Sequence, residues 1–157
     1  MHCGEIETIM ARYLDSHINM IVPNVSYGLH IHEVDLLVVK PSRWASEIEI
    51  KISVADLRAD LKKPHGHRSN KIKFLYFAVP EEIKEKALEL IPERAGLYVL
   101  IHDKARDYIY VELVKVAQPN KTARKLTMDE LIHLGSLATM RIWTLKEIIH
   151  RLRKDNK

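Results

Sequence analysis

The chain has 157 residues, is 46% hydrophobic, carries a formal net charge of +4 and contains a single cysteine, Cys3. That length buries a full core without staples, and one cysteine excludes an intrachain disulfide and a cysteine-based zinc site, so a reducing, cytoplasmic setting is expected. The apolar runs are strand-sized, which speaks against a signal peptide or membrane span, and five scattered glycines make neither a phosphate-cradling loop nor a dinucleotide fingerprint.

Taken in chain order, Glu5 to Asn19 reads as an amphipathic helix, with Ile6, Ile9, Met10, Tyr13, Leu14 and His17 on one side and Pro23 after its end. Strands are expected through Ser26 to His32, Glu33 to Lys40 and Ala45 to Ile52. Ser53 with Asp56 marks a capped helix start, and Pro64 marks its stop. Phe74 to Val79 is a continuous apolar run that suits a buried strand, followed by a helix over Glu81 to Leu90. Leu97 to Ile101 and Tyr108 to Val116 read as strands around a turn, and Leu126 to Leu137 and Arg141 to Arg153 as two closing helices. No repeat, low-complexity stretch or linker interrupts residues 1–157, which are read as one domain.

Chemistry gathers on the third strand. Strict alternation puts Ile48, Ile50 and Ile52 on one face and Glu47, Glu49 and Lys51 on the other. The preceding run, Val34-Asp35-Leu36-Leu37-Val38-Val39, is apolar on both sides after Asp35, as in a strand covered on both faces. A hairpin between the two would bring Asp35, Glu49 and Lys51 to one point.

Charge is partitioned along the chain. Residues 1–50 hold three basic and seven acidic side chains, residues 51–157 hold twenty-two and fourteen. The bases form three clusters: Arg58, Lys62, Lys63, Arg68, Lys71 and Lys73; Lys121, Arg124 and Lys125; and Arg141, Lys146, Arg151, Arg153, Lys154 and Lys157. Such stretches suit contact with a phosphate backbone, although solvated helix faces look the same. The first cluster directly follows Lys51, so Arg58, Lys62, Lys63, Arg68 and Lys71, with His67 from the polar loop between them, are the expected nucleic-acid contacts.

From about Asp35 to Pro80 the pattern resembles the PD-(D/E)XK nuclease superfamily, in which an Asp opens one strand and a Glu-x-Lys lies on the next; here these are Val34-Asp35 and Glu49-Ile50-Lys51. Ser53 to Lys63 and Lys71 to Pro80 extend the likeness to its MmcB-like branch of DNA-repair endonucleases and their phage relatives. The resemblance implies an α/β fold with a restriction-endonuclease-like αβββαβ core, a central mixed sheet flanked by helices. It also implies a metal-dependent endonuclease that hydrolyses DNA phosphodiester bonds. Asp35, Glu49 and the carbonyl of Ile50 would hold Mg²⁺, with Mn²⁺ as a substitute, and Lys51 would stabilise developing charge or position the attacking water.

Other readings stay open. Glu47 is a further ligand or, preferably, a solvated strand-start residue. Some superfamily members place a metal-binding Glu on the first helix, where Glu5 and Glu7 lie, but helix N-termini attract acids anyway. His30 and His32, sharing a strand face, could bind Zn²⁺ with Glu33 or Asp35, though an ordinary polar face is the favoured explanation. The apolar C-terminal helices either pack on the core or pair two subunits in a homodimer. The alternative to an enzyme is a non-catalytic module that binds nucleic acid or a protein partner on the same fold.

Overall fold

The computed structural model describes residues 2–26 and 28–155. Six strands form one sheet in the order β1 (Met20–Val25), β2 (Val34–Val39), β3 (Ala45–Ile50), β4 (Ile72–Pro80), β5 (Gly96–Asp103) and β6 (Tyr108–Lys115). The first three and the last pair run antiparallel, while β3, β4 and β5 are parallel. Each parallel step needs a crossover, supplied by α2 (Val54–Leu61) and by α3 (Lys84–Leu90), which a short 3₁₀ turn at Glu81–Ile83 precedes. With α1 (Cys3–Tyr13) in front, the order α1, β1, β2, β3, α2, β4 is the expected αβββαβ core of a mixed α/β sheet.

Pairing register divides the core into two layers. On one face Leu36, Val38, Ile48, Ile50 and Ala78 pack under Ile6 and Met10 of α1. The opposite face carries two separate apolar clusters, one around Leu37, Val39 and Ala45 with Leu126, Leu134 and Leu137, the other around Leu57, Leu75, Phe77 and Ala87. Between them, at the junction of β2, β3 and β4, that face is polar. Glu47 pairs with Leu37 on one side and Leu75 on the other, and Glu49 pairs with Phe77.

Three expectations are corrected. The first strand is Met20–Val25 rather than 26–32, and α1 ends at Tyr13 rather than Asn19. Pro23 therefore lies inside a strand, which is tolerated because β1 is the sheet edge and the missing N–H breaks no interior ladder. Of the expected segment, Tyr27 lies outside the described residues, and Gly28 and His30 adopt left-handed backbone with φ of 90° and 52°. The two closing helices are one 28-residue helix, α4 (Met128–Asp155), because nothing in Ala138-Thr139-Met140 stops a helix. It starts on a reciprocal cap: Glu130 N–H donates to Thr127 Oγ1 at 3.2 Å, and Thr127 N–H donates to a Glu130 carboxylate oxygen at 2.8 Å. Its second half leaves the sheet, with Ile142, Trp143, Leu145, Ile148, Ile149 and Leu152 exposed. Among the described residues no helix is long and apolar enough to cross a membrane.

Gly96 opens β5 at a close approach to Tyr76 and Lys115. A Cβ there would lie 2.3 Å from the Tyr76 ring and 2.7 Å from the Lys115 carbonyl. Gly96→Ala is expected to destabilise the fold by about 1–3 kcal/mol through overpacking. A urea midpoint unchanged from wild type would contradict this.

Candidate active site

The β2–β3 hairpin and the last turn of α2 place Asp35, Glu49, Lys51 and Asp60 around one point. Asp35 Oδ2 accepts from the Ile50 amide at 2.8 Å and from Lys51 Nζ at 3.3 Å. Lys51 Nζ also donates to Glu49 Oε2 at 2.7 Å and lies 3.3 Å from Asp60 Oδ1. One ammonium thus meets three carboxylates, and the three expected site residues come together. Asp35 is the outermost, with its side chain 28% exposed, whereas those of Glu49 and Lys51 are 2% and 5% exposed.

Burial and crowding set the protonation states. Burial and the neighbouring Asp35 charge push the Glu49 carboxyl up to about 7, against the lowering influence of Lys51. Burial alone would lower the Lys51 ammonium, but Glu49, Asp35 and Asp60 outweigh it and hold the group above its ordinary value. Lys51 is therefore a fixed cation and a donor, not a base. Asp60 lies below the ordinary carboxylate range, because the hydrogen bonds and charges from His67, Lys63 and Lys51 overcome its burial.

The network continues beyond the sequence expectation. His67 Nε2 is 2.8 Å from Asp60 Oδ2 and its Nδ1 is 2.5 Å from Glu47 Oε1, which also lies 2.7 Å from His32 Nε2. Burial disfavours an imidazolium, yet the two carboxylates outweigh it and raise His67 to about 9, so both its nitrogens donate. His67 and Gly66 both have left-handed backbone, with φ of 53° and 51°. A left-handed histidine costs about 1 kcal/mol or more, offset here by ring bonds on both sides and by Arg94, which donates to the His67 carbonyl at 2.7 Å.

Several expectations change in this region. Glu47 is not a solvated strand-start residue but fully buried, at 0% exposure. Its Oε2 has no hydrogen-bond partner among the described residues. His67 is 2% exposed and faces the carboxylates, so its side chain is not on a surface that DNA could touch. Lys71 spends its ammonium on Glu130, at 3.0 Å, and on the Leu29 carbonyl, tying α4 to the sheet. Arg58, Lys62, Lys63 and Arg68 are exposed, although Lys63 Nζ lies 2.6 Å from Asp60 Oδ1. Arg68 and Arg94 line a cleft of about 400 Å³ with Ser69, Asn70, Asn120 and Thr122. Lys157 of the third basic cluster lies outside the described residues.

The first-helix question divides the two acids. Glu5 is exposed and caps α1 by accepting from the His2 amide at 3.3 Å. Glu7 is half-buried beside Pro23 and Asn24, and its carboxyl is raised by burial and by the charge of Asp35. His30 and His32 do not form a strand pair. His30 is exposed, while His32 stacks on His65 with ring centroids 4.2 Å apart. Asp60 and His65 were missed because their signal is tertiary, and His32, weighed only as a partner of His30, meets His65, His67 and Glu47 instead. The only trace of that signal in the sequence is that Asp60 lies nine residues after Lys51, within the capped helix.

The donor set fits a hard divalent cation. Asp35 and Glu49 are paired carboxylates at a half-open edge, and burial together with the Asp35 charge raises Glu49 to about 7. Glu47, Glu49 and His67 likewise offer ligand atoms within 4.8 Å of one another.

Among solved structures, a protein of unknown function from Silicibacter pomeroyi superposes with a TM-score of 0.65 at 25% identity, over 94% of this chain and 92% of the other. No curated protein matches the sequence. A family model described as DNA repair protein MmcB-like matches residues 5–149, which include every strand and all the site residues named above. The chain belongs to the MmcB-like family of DNA repair proteins.

Proposed function

We propose that this protein is a divalent-metal-dependent endonuclease acting on DNA phosphodiester bonds. The observation that carries the reading is the meeting of Asp35, Glu49 and Lys51 within 3.3 Å at the edge of two paired strands. Asp35, Glu49 and the Ile50 carbonyl would hold Mg²⁺, or Mn²⁺ in its place. When bound, such an ion lowers the pKa of a water molecule and offsets charge on the phosphate. Lys51, kept cationic by three carboxylates, donates to a phosphate oxygen or orients the attacking water, and Asp60 holds its ammonium in place. Arg58, Lys62, Lys63 and Arg68 supply sequence-independent phosphate contacts on the exposed side of α2 and its following loop. The exposed apolar residues Ile142, Leu145, Ile149 and Leu152 of α4 suit pairing of two subunits; sedimentation as a monomer would exclude that arrangement.

The test is cleavage of labelled single-stranded, duplex and branched DNA with EDTA, Mg²⁺ or Mn²⁺. Products are expected only with the cation. Cleavage in EDTA sinks the metal-dependent reading. One observation favours a second reading: the Lys51 ammonium already occupies the space between Asp35 and Glu49, so the cluster could serve a pure binding module. DNA retention without products, unaffected by Mg²⁺ and by Asp35→Ala, would select it.

A further inference from the structure

We propose that His32, His65, His67 and Glu47 form a second cation site, for one divalent transition-metal ion of the zinc class, beside Asp35 and Glu49 but not built from them. The ligand-capable nitrogens of His32, His65 and His67 lie within 4.8 Å of one another. Glu47 stands among them: its Oε1 is 2.7 Å from His32 Nε2 and 2.5 Å from His67 Nδ1. Imidazole nitrogens with one carboxylate are the donors a borderline cation such as Zn²⁺ prefers, whereas Mg²⁺ prefers the all-oxygen set at Asp35 and Glu49.

Hydrogen bonding alone leaves this cluster unexplained. Two rings converge on one oxygen of Glu47, while the other oxygen, in a fully buried side chain, has no partner among the described residues. A buried carboxylate oxygen left without any donor is uncommon and calls for a partner such as an ion. A cation among the rings would satisfy the orphaned oxygen and remove the crowding. His67 also has the outer support of a metal ligand: its Nε2 is 2.8 Å from Asp60 Oδ2, and Nδ1 becomes the coordinating atom when the incoming cation displaces its proton to solvent. His65 Nδ1 accepts the His67 amide at 3.0 Å, a bond that coordination through that atom would exchange for the metal.

Three segments meet here: the loop before β2, strand β3 and the loop after α2. A bound ion would clamp the 62–71 loop against the sheet next to Lys51. The site does not depend on phosphodiester cleavage.

Protein stripped with EDTA and dialysed is titrated with Co²⁺ alone and followed by visible absorption. One equivalent is expected to give intense d–d bands that Zn²⁺ abolishes. The bands are expected to be lost in His32→Ala and in His65→Ala and kept in Asp35→Asn, while Asp60→Asn weakens binding by ~10–100-fold. His65 is only half-buried and stacks at the rim, so His65→Ala tests the site even where His32→Ala fails to fold, with circular dichroism as the check. Absence of bands in the folded wild type, their survival in His65→Ala, or their loss in Asp35→Asn alone overturns the proposal.

Discussion

Lys51→Ala is expected to lower the single-turnover rate of DNA cleavage by about 10²–10³-fold while leaving DNA retention near wild type. The ammonium is the donor that bridges Asp35, Glu49 and Asp60, and its position beside the paired carboxylates is where phosphate charge would develop. Loss of the cation leaves Glu49, already raised to about 7, free to take up a proton rather than remain a buried unpaired anion, so the fold has a way to survive the change. Lys51→Arg is not expected to restore the rate. A planar guanidinium cannot replace a compact ammonium among three carboxylates at 2.7–3.3 Å. The measurement is cleavage by wild type and both variants at saturating Mg²⁺, with circular dichroism confirming the fold. A Lys51→Ala rate close to wild type would remove Lys51 from the mechanism and with it the main support for the nuclease reading.

His67→Ala is expected to have the largest effect on stability, about 3–5 kcal/mol in metal-free protein near neutral pH. Its imidazolium is 2% exposed and lies between Glu47 and Asp60, so truncation leaves two buried carboxylates short of a cation. The same group gives a pH dependence of fixed sign. Its folded value of about 9 stands above the value near 6.5 expected of an unfolded histidine. The stabilisation is therefore complete below about pH 6.5 and is lost as pH rises through about 9. Urea unfolding in EDTA across this window should show a decline in wild type that is absent in His67→Ala. A variant within about 1 kcal/mol of wild type would mean that Glu47 and Asp60 find other partners.

These two residues also show what could be read in advance. Lys51, Glu49 and Asp35 were legible because a strand has a period of two and a short hairpin has one register: alternation fixes the face and pairing fixes the neighbour. The β3–α2–β4 crossover was legible for similar reasons, from the Ser53 cap and the apolar run before Pro80. His67 was visible only as a polar loop residue. Its inward direction depends on consecutive left-handed residues at Gly66 and His67 and on Arg94 holding the loop from the far side of β4, contacts that no local pattern encodes.

Glu47 makes the same point from the opposite direction. On its strand it is indistinguishable from a solvated acid, and only the 62–71 loop folding over β3 buries it against His32 and His67. The first strand was misplaced because Pro23 is a strand breaker except at a sheet edge, and edge position is a property of the whole sheet. The α/β class was implied by the family resemblance, while local periodicity and capping determined the central strands and the Asp35–Glu49–Lys51 constellation, since those depend on neighbours within one hairpin. The tertiary structure alone decided that Asp60, His67, Glu47 and His32 join it in one buried ionic network, because burial and charge pairing arise only where distant segments pack together.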